Sequence, residues 1–358
     1  MQKQTLLYFI VGKSTFTDKD LTIFLEEYQV YQFNFLASAK WKTLFLFVKQ
    51  FFFLLKHISS AQIMVSQFSG YHSFLPALFS RLTGKPFLII AGGTDCHSFP
   101  EIRYGNFQKR LLSSFTKQSY KMCTHISPKH ATLWESNYNY SSASPDKQGI
   151  KAFIPELNKP HTIINNGYNS DNFLNTGKKI PHSFLTVAGN LHYPFQLTLK
   201  GIDLFLQLAE KFADCSFTLV GVFDSGNFMN FPKNIKFLPP LPYDRLVELY
   251  AGHTFYVQLS MAEGFPNTLC ESMLCECVPI GSNVFSIPEI IGQTGFILER
   301  KDLNLLHMLI EDALKSDTIQ LGKMARERIA KNYPLSRRRK ELLNLCRSLE
   351  ITTKRVSN

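Results

Sequence analysis

The stretch TFYVQLSMAEGFPNTLCESMLCECVPIG, residues 254–281, decides the fold. Thr254–Leu259 is an apolar run that predicts a strand. A Glu-Gly-Phe-Pro-Asn loop follows, then a helix over Thr268–Cys277 and a second strand over Val278–Gly281. Strand, helix and strand in that order make a β-α-β unit, whose crossover helix sets the two strands parallel. The helix starts directly after the loop, so its first backbone amides are unpaired and carry the positive end of its dipole. Such a place suits an electron-rich sugar or phosphate. Glu263 stands on the loop, and Glu271 lies eight positions on, about two turns into the helix. The two carboxylates are therefore expected to meet different parts of one extended ligand and not to share a proton.

The same alternation extends in both directions. Ser183–Ala188, Ser216–Val220 and Ile235–Leu238 read as further strands, and Lys200–Phe212 and Tyr243–Ala251 as helices. Asn190 follows the first of these strands. Lys200, just before a helix, is placed to neutralise a diphosphate leaving group. Upstream, Thr5–Val11, Val30–Leu36, Gln62–Ser66, Pro86–Ala91, Met122–Ser127 and His161–Asn165 read as an earlier strand series. Its first member ends at Gly12-Lys13 and its fourth at Gly92-Gly93-Thr94-Asp95. Ser141–Lys147 reads as a loop. Two successive series predict an α/β protein of two Rossmann-like, doubly wound domains with a cleft between them. Their expected extents are 1–176 and 177–335, with a tail helix over 336–358 capped by Ser336.

Composition agrees with two packed cores: of 358 residues, 45% are apolar and 19% charged. The net charge of +11 is uneven. Residues 1–176 carry 18 Lys/Arg against 10 Asp/Glu, residues 177–335 carry 14 against 16, and the last 23 carry 7 against 2. A basic first half and tail suggest a face that meets something anionic. Nucleic acid does not fit, because no helix-turn-helix, zinc-finger or RNP-like pattern is present and the aromatics lie in apolar runs. Seven cysteines without a C-x-x-C pair argue for free thiols and a reducing, cytoplasmic setting. Cys270, Cys275 and Cys277 cluster without a His at ligand spacing, so no metal is expected. The N-terminal apolar run has no small-residue cleavage site and reads as a first strand, not a signal peptide. No run approaches the roughly 20 apolar residues of a spanning helix.

Trp41–Ile58 (WKTLFLFVKQFFFLLKHI) predicts a helix with two open readings. Its lysines at 42, 49 and 56 form one stripe, and nearly every other direction is apolar. It is either a deeply packed core helix or a helix lying in an anionic membrane interface, with lysines reaching lipid phosphates. The basic first half and the cluster Arg337-Arg-Arg-Lys340 favour the second reading, in which the protein is peripheral on the inner face of a membrane.

Lys200-Gly201, the Glu263-x7-Glu271 spacing and Ile287-Pro288-Glu289 occur in one order on these elements, after the segment Ile164-Asn-Asn-Gly167. Together they resemble the retaining GT-B glycosyltransferases of the Glu-x7-Glu group. The resemblance covers nearly the whole chain. It implies a nucleotide-diphosphate sugar as donor, no cofactor or metal, and a hydroxyl of a glycan or lipid-linked acceptor. Lys200 would bind the donor diphosphate and Glu271 the nucleotide ribose. Glu263 would hold the donor sugar, together with the backbone of Gly264, Phe265, Pro266 and Asn267. Gly12 would lie near the phosphates or the acceptor.

Two departures from the family pattern stand out. Asn190 occupies the place of a phosphate-binding Arg, and Gly92-Gly93-Thr94-Asp95 replaces a sugar-contacting His. Asp95 is expected to contact sugar or acceptor; His97 is either a stand-in for the absent His or a plain loop residue. The departures leave room for a catalytically silent subunit on the same fold, and an epimerase or phosphorylase is a further alternative.

Overall fold

A computed structural model describes residues 3–39, 41–173, 178–189, 191, 194–222 and 232–356. In the first domain β1 (Gln4–Ile10), α1 (Thr15–Glu27), β2 (Tyr28–Asn34), α2 (Lys42–His57), β3 (Ala61–Gln67), α3 (Tyr71–Thr83), β4 (Phe87–Ala91), α4 (Arg110–Met122) and β5 (His125–Pro128) follow one another. The strands pair in parallel in the order β2-β1-β3-β4-β5. Every residue of β4 is buried, as helices on both faces of a parallel sheet require. The strand expected at His161–Asn165 shrinks to one bridge between Ile126 and His161. Ile126 exchanges hydrogen bonds with Pro160 and Thr162, but Pro128 has no N–H with which to extend the ladder.

A short antiparallel pair, β6 (Ser136–Asn137) with β7 (Lys147–Gln148), and α5 (Ile150–Phe153) lead toward the second domain. That domain runs through β8 (Ile180–Val187), α6 (Pro194–Leu199), α7 (Ile202–Lys211), β9 (Ser216–Val220), β10 (Ile235–Leu238), α8 (Tyr243–Gly252) and β11 (His253–Gln258). It continues through α9 (Asn267–Leu274), β12 (Val278–Ser282), α10 (Ile287–Ile291), β13 (Phe296–Leu298), α11 (Leu303–Lys315) and α12 (Thr318–Asn332). Its parallel sheet has the order β10-β9-β8-β11-β12-β13. The changeover expected at 176/177 falls among residues 174–177, outside the described ones.

The final helix, α13 (Leu335–Val356), begins one residue ahead of the expected Ser336 cap and returns to the first domain. Leu342, Leu343, Cys346 and Leu349 pack with Leu6, Tyr8 and Ile10 of β1. Arg337, Arg338, Arg339 and Arg347 of the tail are each paired within the chain, which draws them from the anionic face expected of them. Arg338 grips Asp20 of α1 through Nε–Oδ1 at 2.8 Å and Nη2–Oδ2 at 2.7 Å, and both side chains are buried. Arg339 and Arg347 pair with Glu26 and Glu27 of α1. Such a fork fixes the helix in one register, while the exposed pairs add little.

Helix α2 is not a core helix. Only Gln50 and Leu54 of its 16 residues are buried. Leu44, Phe45, Phe52 and Leu55 are each more than half exposed. All seven cysteines are buried free thiols.

Candidate active site

The carboxyl ends of both sheets converge on one cavity of about 270 Å³. The first domain supplies Phe16, Phe68, Gly92–Thr94 and Lys129 to its wall, and the second supplies Lys200, Gln258 and Glu263–Thr268. A doubly wound sheet leaves its ligand crevice at that edge, because the loops there diverge to opposite faces.

Two glycines set the geometry. A side chain on Gly264 would place its Cβ 1.4 Å from the carbonyl oxygen of Gly92, so only glycine lets the loops of the two domains touch. Gly201, at φ +67°, turns the chain from α6 into α7 within 2.0 Å (to a Cβ) of the Leu259 carbonyl. That turn carries Lys200 onto the cavity wall. Its Nζ donates to Glu263 Oε1 at 2.7 Å. The same oxygen accepts from Ser260 Oγ at 2.8 Å and Gln258 Nε2 at 3.1 Å. Lys200 and Glu263, 63 positions apart, thus form the ionic centre of the site.

The loop after Glu263 is held from the interdomain segment. Asn267 Oδ1 accepts from Asn166 Nδ2 at 3.0 Å and Tyr168 Oη at 2.8 Å, and Asn166 also donates to the Phe265 carbonyl. Across the cleft, His130 Nε2 lies 2.9 Å from Glu289 Oε2, joining the β5 end to α10.

Several expected site residues lie elsewhere. Glu271 does not line the cavity; it is buried in α9, 4.0 Å from Lys19 of α1. Burial pushes its pKa up to about 7, and Lys19 opposes the shift. Asp95 has no exposed surface and sits beneath the loop it was expected to crown. Its Oδ1 accepts from the amides of Gly92 and Gly93 at 3.0 and 3.1 Å, and its Oδ2 from Ser69 N and Tyr120 Oη at 2.8 and 2.7 Å. With both oxygens so occupied, Asp95 shapes the glycine loop, and it lies on the wall of a neighbouring cavity, not of this one. Gly12 also lies off the cavity wall, its N–H bonded to Asn34 Oδ1 at 2.9 Å. Asn190 lies outside the described residues. His97 is buried with its ring centroid 4.1 Å from that of Phe285, and burial takes its pKa down to about 3. A histidine so held stays neutral near neutrality and is no proton carrier there.

Lys129 is the group that sequence reasoning passed over. It follows β5 on the cavity wall, 3% exposed, with Nζ 3.9 Å from the ring centroid of Phe16 and 5.0 Å from that of Phe68. Burial, helped by nearby Arg338, lowers its pKa to about 7. Its position at a strand's carboxyl end was the available signal.

A cleft between two parallel sheets, with a helix N-terminus and an ionic pair on its wall, has the architecture of the GT-B fold, and the comparisons agree. Residues 195–333, most of the second domain, match the model of the glycosyl transferases group 1 family. Among curated proteins, the O-antigen chain mannosyltransferase B of Escherichia coli is 32% identical over 84 residues, 24% of this chain and 22% of that protein. The serotype-specific mannosyltransferase WbdA of E. coli is 28% identical over 140 residues, 38% of this chain. The matched segment spans only 15% of WbdA, so this chain covers a minor part of both relatives. Among solved structures, sucrose-phosphate synthase from Thermosynechococcus elongatus superposes at a TM-score of 0.74 with 14% identity, covering 98% of this chain and 100% of that one. Anabaena HepE, solved with UDP and glucose, superposes at 0.65 with 14% identity over 96% of this chain and 100% of its own. At such identities these two establish the fold alone.

Proposed function

We propose that the chain transfers a sugar from a nucleotide-diphosphate sugar to a hydroxyl of a glycan or lipid-linked acceptor, with retention and without a metal. The observation that carries this reading is the Lys200–Glu263 pair on the wall of the interdomain cavity. A sugar transferase must stabilise the charge that grows on the departing diphosphate, and a lysine at that edge does so. Glu263 accepts sugar hydroxyls, and the first turn of α9 with the Gly264–Pro266 backbone frames the same group. Lys129 reaches the diphosphate from the first domain, a second cation where the family's arginine is replaced by Asn190.

In the reaction, the bond from the anomeric carbon to the diphosphate oxygen breaks. The acceptor oxygen bonds to the same face, and its proton leaves on the departing phosphate. Glu271 takes the ribose hydroxyls, with Lys19 beside it at 4.0 Å. The E. coli mannosyltransferase relatives and the group 1 match support a hexose donor and a role in polysaccharide or glycoconjugate synthesis. Closing the cleft keeps water from the donor.

Thermal unfolding with UDP and with GDP tests the reading. One of them should raise Tm in the wild type, and Lys200→Ala should lose most of the rise. No rise with either nucleotide would favour a subunit that binds no donor.

A further inference from the structure

A continuous run of exposed apolar side chains lies on α2, which the reaction does not use. At 100° per residue, Leu44, Phe45, Val48, Phe51, Phe52 and Leu55 fill an arc of about 120° pointing away from the protein. Lys42, Lys49 and Lys56 line one rim of that arc, and Lys49 Nζ lies 4.5 Å from the Phe45 ring centroid. Between Tyr28 and Thr94 the chain has six Lys/Arg and no Asp or Glu. Among the described residues no helix is long and apolar enough to cross a membrane. An apolar face with a basic rim and no acid nearby matches a shallow seat in an anionic lipid surface. Two copies packed face to face through α2 would instead oppose lysines to lysines with no carboxylate to pair them.

Beside this helix opens a cavity of about 670 Å³, lined by Val11, Phe35, Leu36, Ala37, Tyr71 and Leu112, with Thr43 of α2 at its edge. It shares Phe68 and Thr94 with the donor cavity. Thr43 lies on the inner side of α2 with Gln50 and Leu54, so the cavity runs behind the start of the helix, between it and the donor cavity; Ser69, His72, Asp95 and Asn106 add polar groups to its wall.

We propose that the first domain docks on an anionic bilayer through this face of α2 and draws the apolar chain of an amphiphilic acceptor into the adjoining cavity, which leaves the acceptor hydroxyl at Thr94. The inference deepens the transferase reading and rests on it for the fate of the hydroxyl. Docking itself is read without turnover.

Trp41, 73% exposed where α2 begins, is a native probe. Vesicles of phosphatidylcholine with phosphatidylglycerol should co-sediment with the protein, blue-shift its fluorescence and quench it when their chains are brominated. Trp41→Phe should abolish the optical signals but not sedimentation. Joint replacement of Lys42, Lys49 and Lys56 by Gln should weaken partitioning roughly a hundredfold, and Leu44→Ser with Phe52→Ser should abolish it. These side chains are exposed, and unchanged circular dichroism confirms the fold. Equal binding to pure phosphatidylcholine would overturn the anionic requirement, and no binding would overturn docking. A dimer dissolved by the serine pair, without vesicle binding, would assign the face to a second copy.

For the cavity, dodecyl α-mannoside below its micelle concentration should raise Tm where methyl α-mannoside does not. Ala37→Phe should remove that rise while vesicle docking persists. A rise that survives Ala37→Phe, or none in the wild type, would overturn the chain-binding role.

Discussion

Lys200 Nζ and Glu263 Oε1 meet at 2.7 Å although one precedes α7 and the other hangs from the loop after β11. The pair is part-exposed on the cavity wall, at 29% and 12% of the side chains. Both groups are therefore already in place when a donor arrives, and the lysine can exchange its carboxylate partner for a phosphate.

Lys200→Ala should lower kcat/KM for the donor roughly 10²–10³-fold, the usual loss when one stabiliser of developing charge is removed. Lys200→Arg should recover part of it. Steady-state kinetics decide, and wild-type turnover by the alanine variant would remove Lys200 from the mechanism.

Lys129 gives the site a pH dependence. Its pKa is lowered to about 7, so its charge is present below that value and fades as pH rises through it. Arg338, Asp20, Asp95 and Cys96 act on it from the surrounding elements, and Lys200 and Glu263 share its cavity. Donor KM should rise with pH between about 6 and 8, and Lys129→Arg, charged throughout, should flatten that profile. Identical profiles for the two proteins would contradict the role.

Glu271 should cost stability. Its pKa is raised from 4.5 to about 7, so between those values the folded protein holds a proton that the unfolded chain has released. Stability therefore falls as pH rises through that window. Glu271→Gln does not titrate, and should gain up to about 3 kcal/mol over the wild type between pH 4.5 and 7 or above, at 1.36 kcal/mol per unit. Denaturant unfolding at both ends of the window measures it, and parallel curves would contradict the burial argument.

Asp95→Asn turns an acceptor of five hydrogen bonds, one of them from the Cys96 thiol, into a group that donates on one side, facing groups that also donate. A loss of about 2–4 kcal/mol in unfolding free energy is expected, since hydrogen bonds to charged groups are worth about 1.5–3 each. A variant with wild-type stability but no turnover would return Asp95 to the chemistry.

The sequence made the second domain easier to read than the first. Ser216–Val220 and Ile235–Leu238 are strands at the residues expected, and Lys200, Glu263 and Gly264 meet on one wall. Strongly apolar runs broken by glycine loops leave few alternative folds. β13 was missed because three residues, Phe296–Leu298, show no period. The His161–Asn165 strand failed at Pro128, on its neighbour, where a one-chain pattern does not look. Burial was the least legible property. Asp95 reads as a site acid until five donors are seen around it, and Lys129 reads as a surface lysine until Phe16 and Phe68 enclose it. The tail arginines look like a basic patch until Asp20, Glu26 and Glu27 of α1 meet them. The α2 face stayed open between two readings, because apolar letters alone do not tell a core stripe from one left in solvent.

The most direct test of the transferase account is release of UDP or GDP from a panel of nucleotide sugars, for the wild type beside Glu263→Ala and Lys200→Ala. Membrane lipid extract should be present as a source of acceptor. The account predicts release from one donor by the wild type and loss of that release in both variants. No release from any donor by a folded wild-type protein, or equal release by all three proteins, would contradict it.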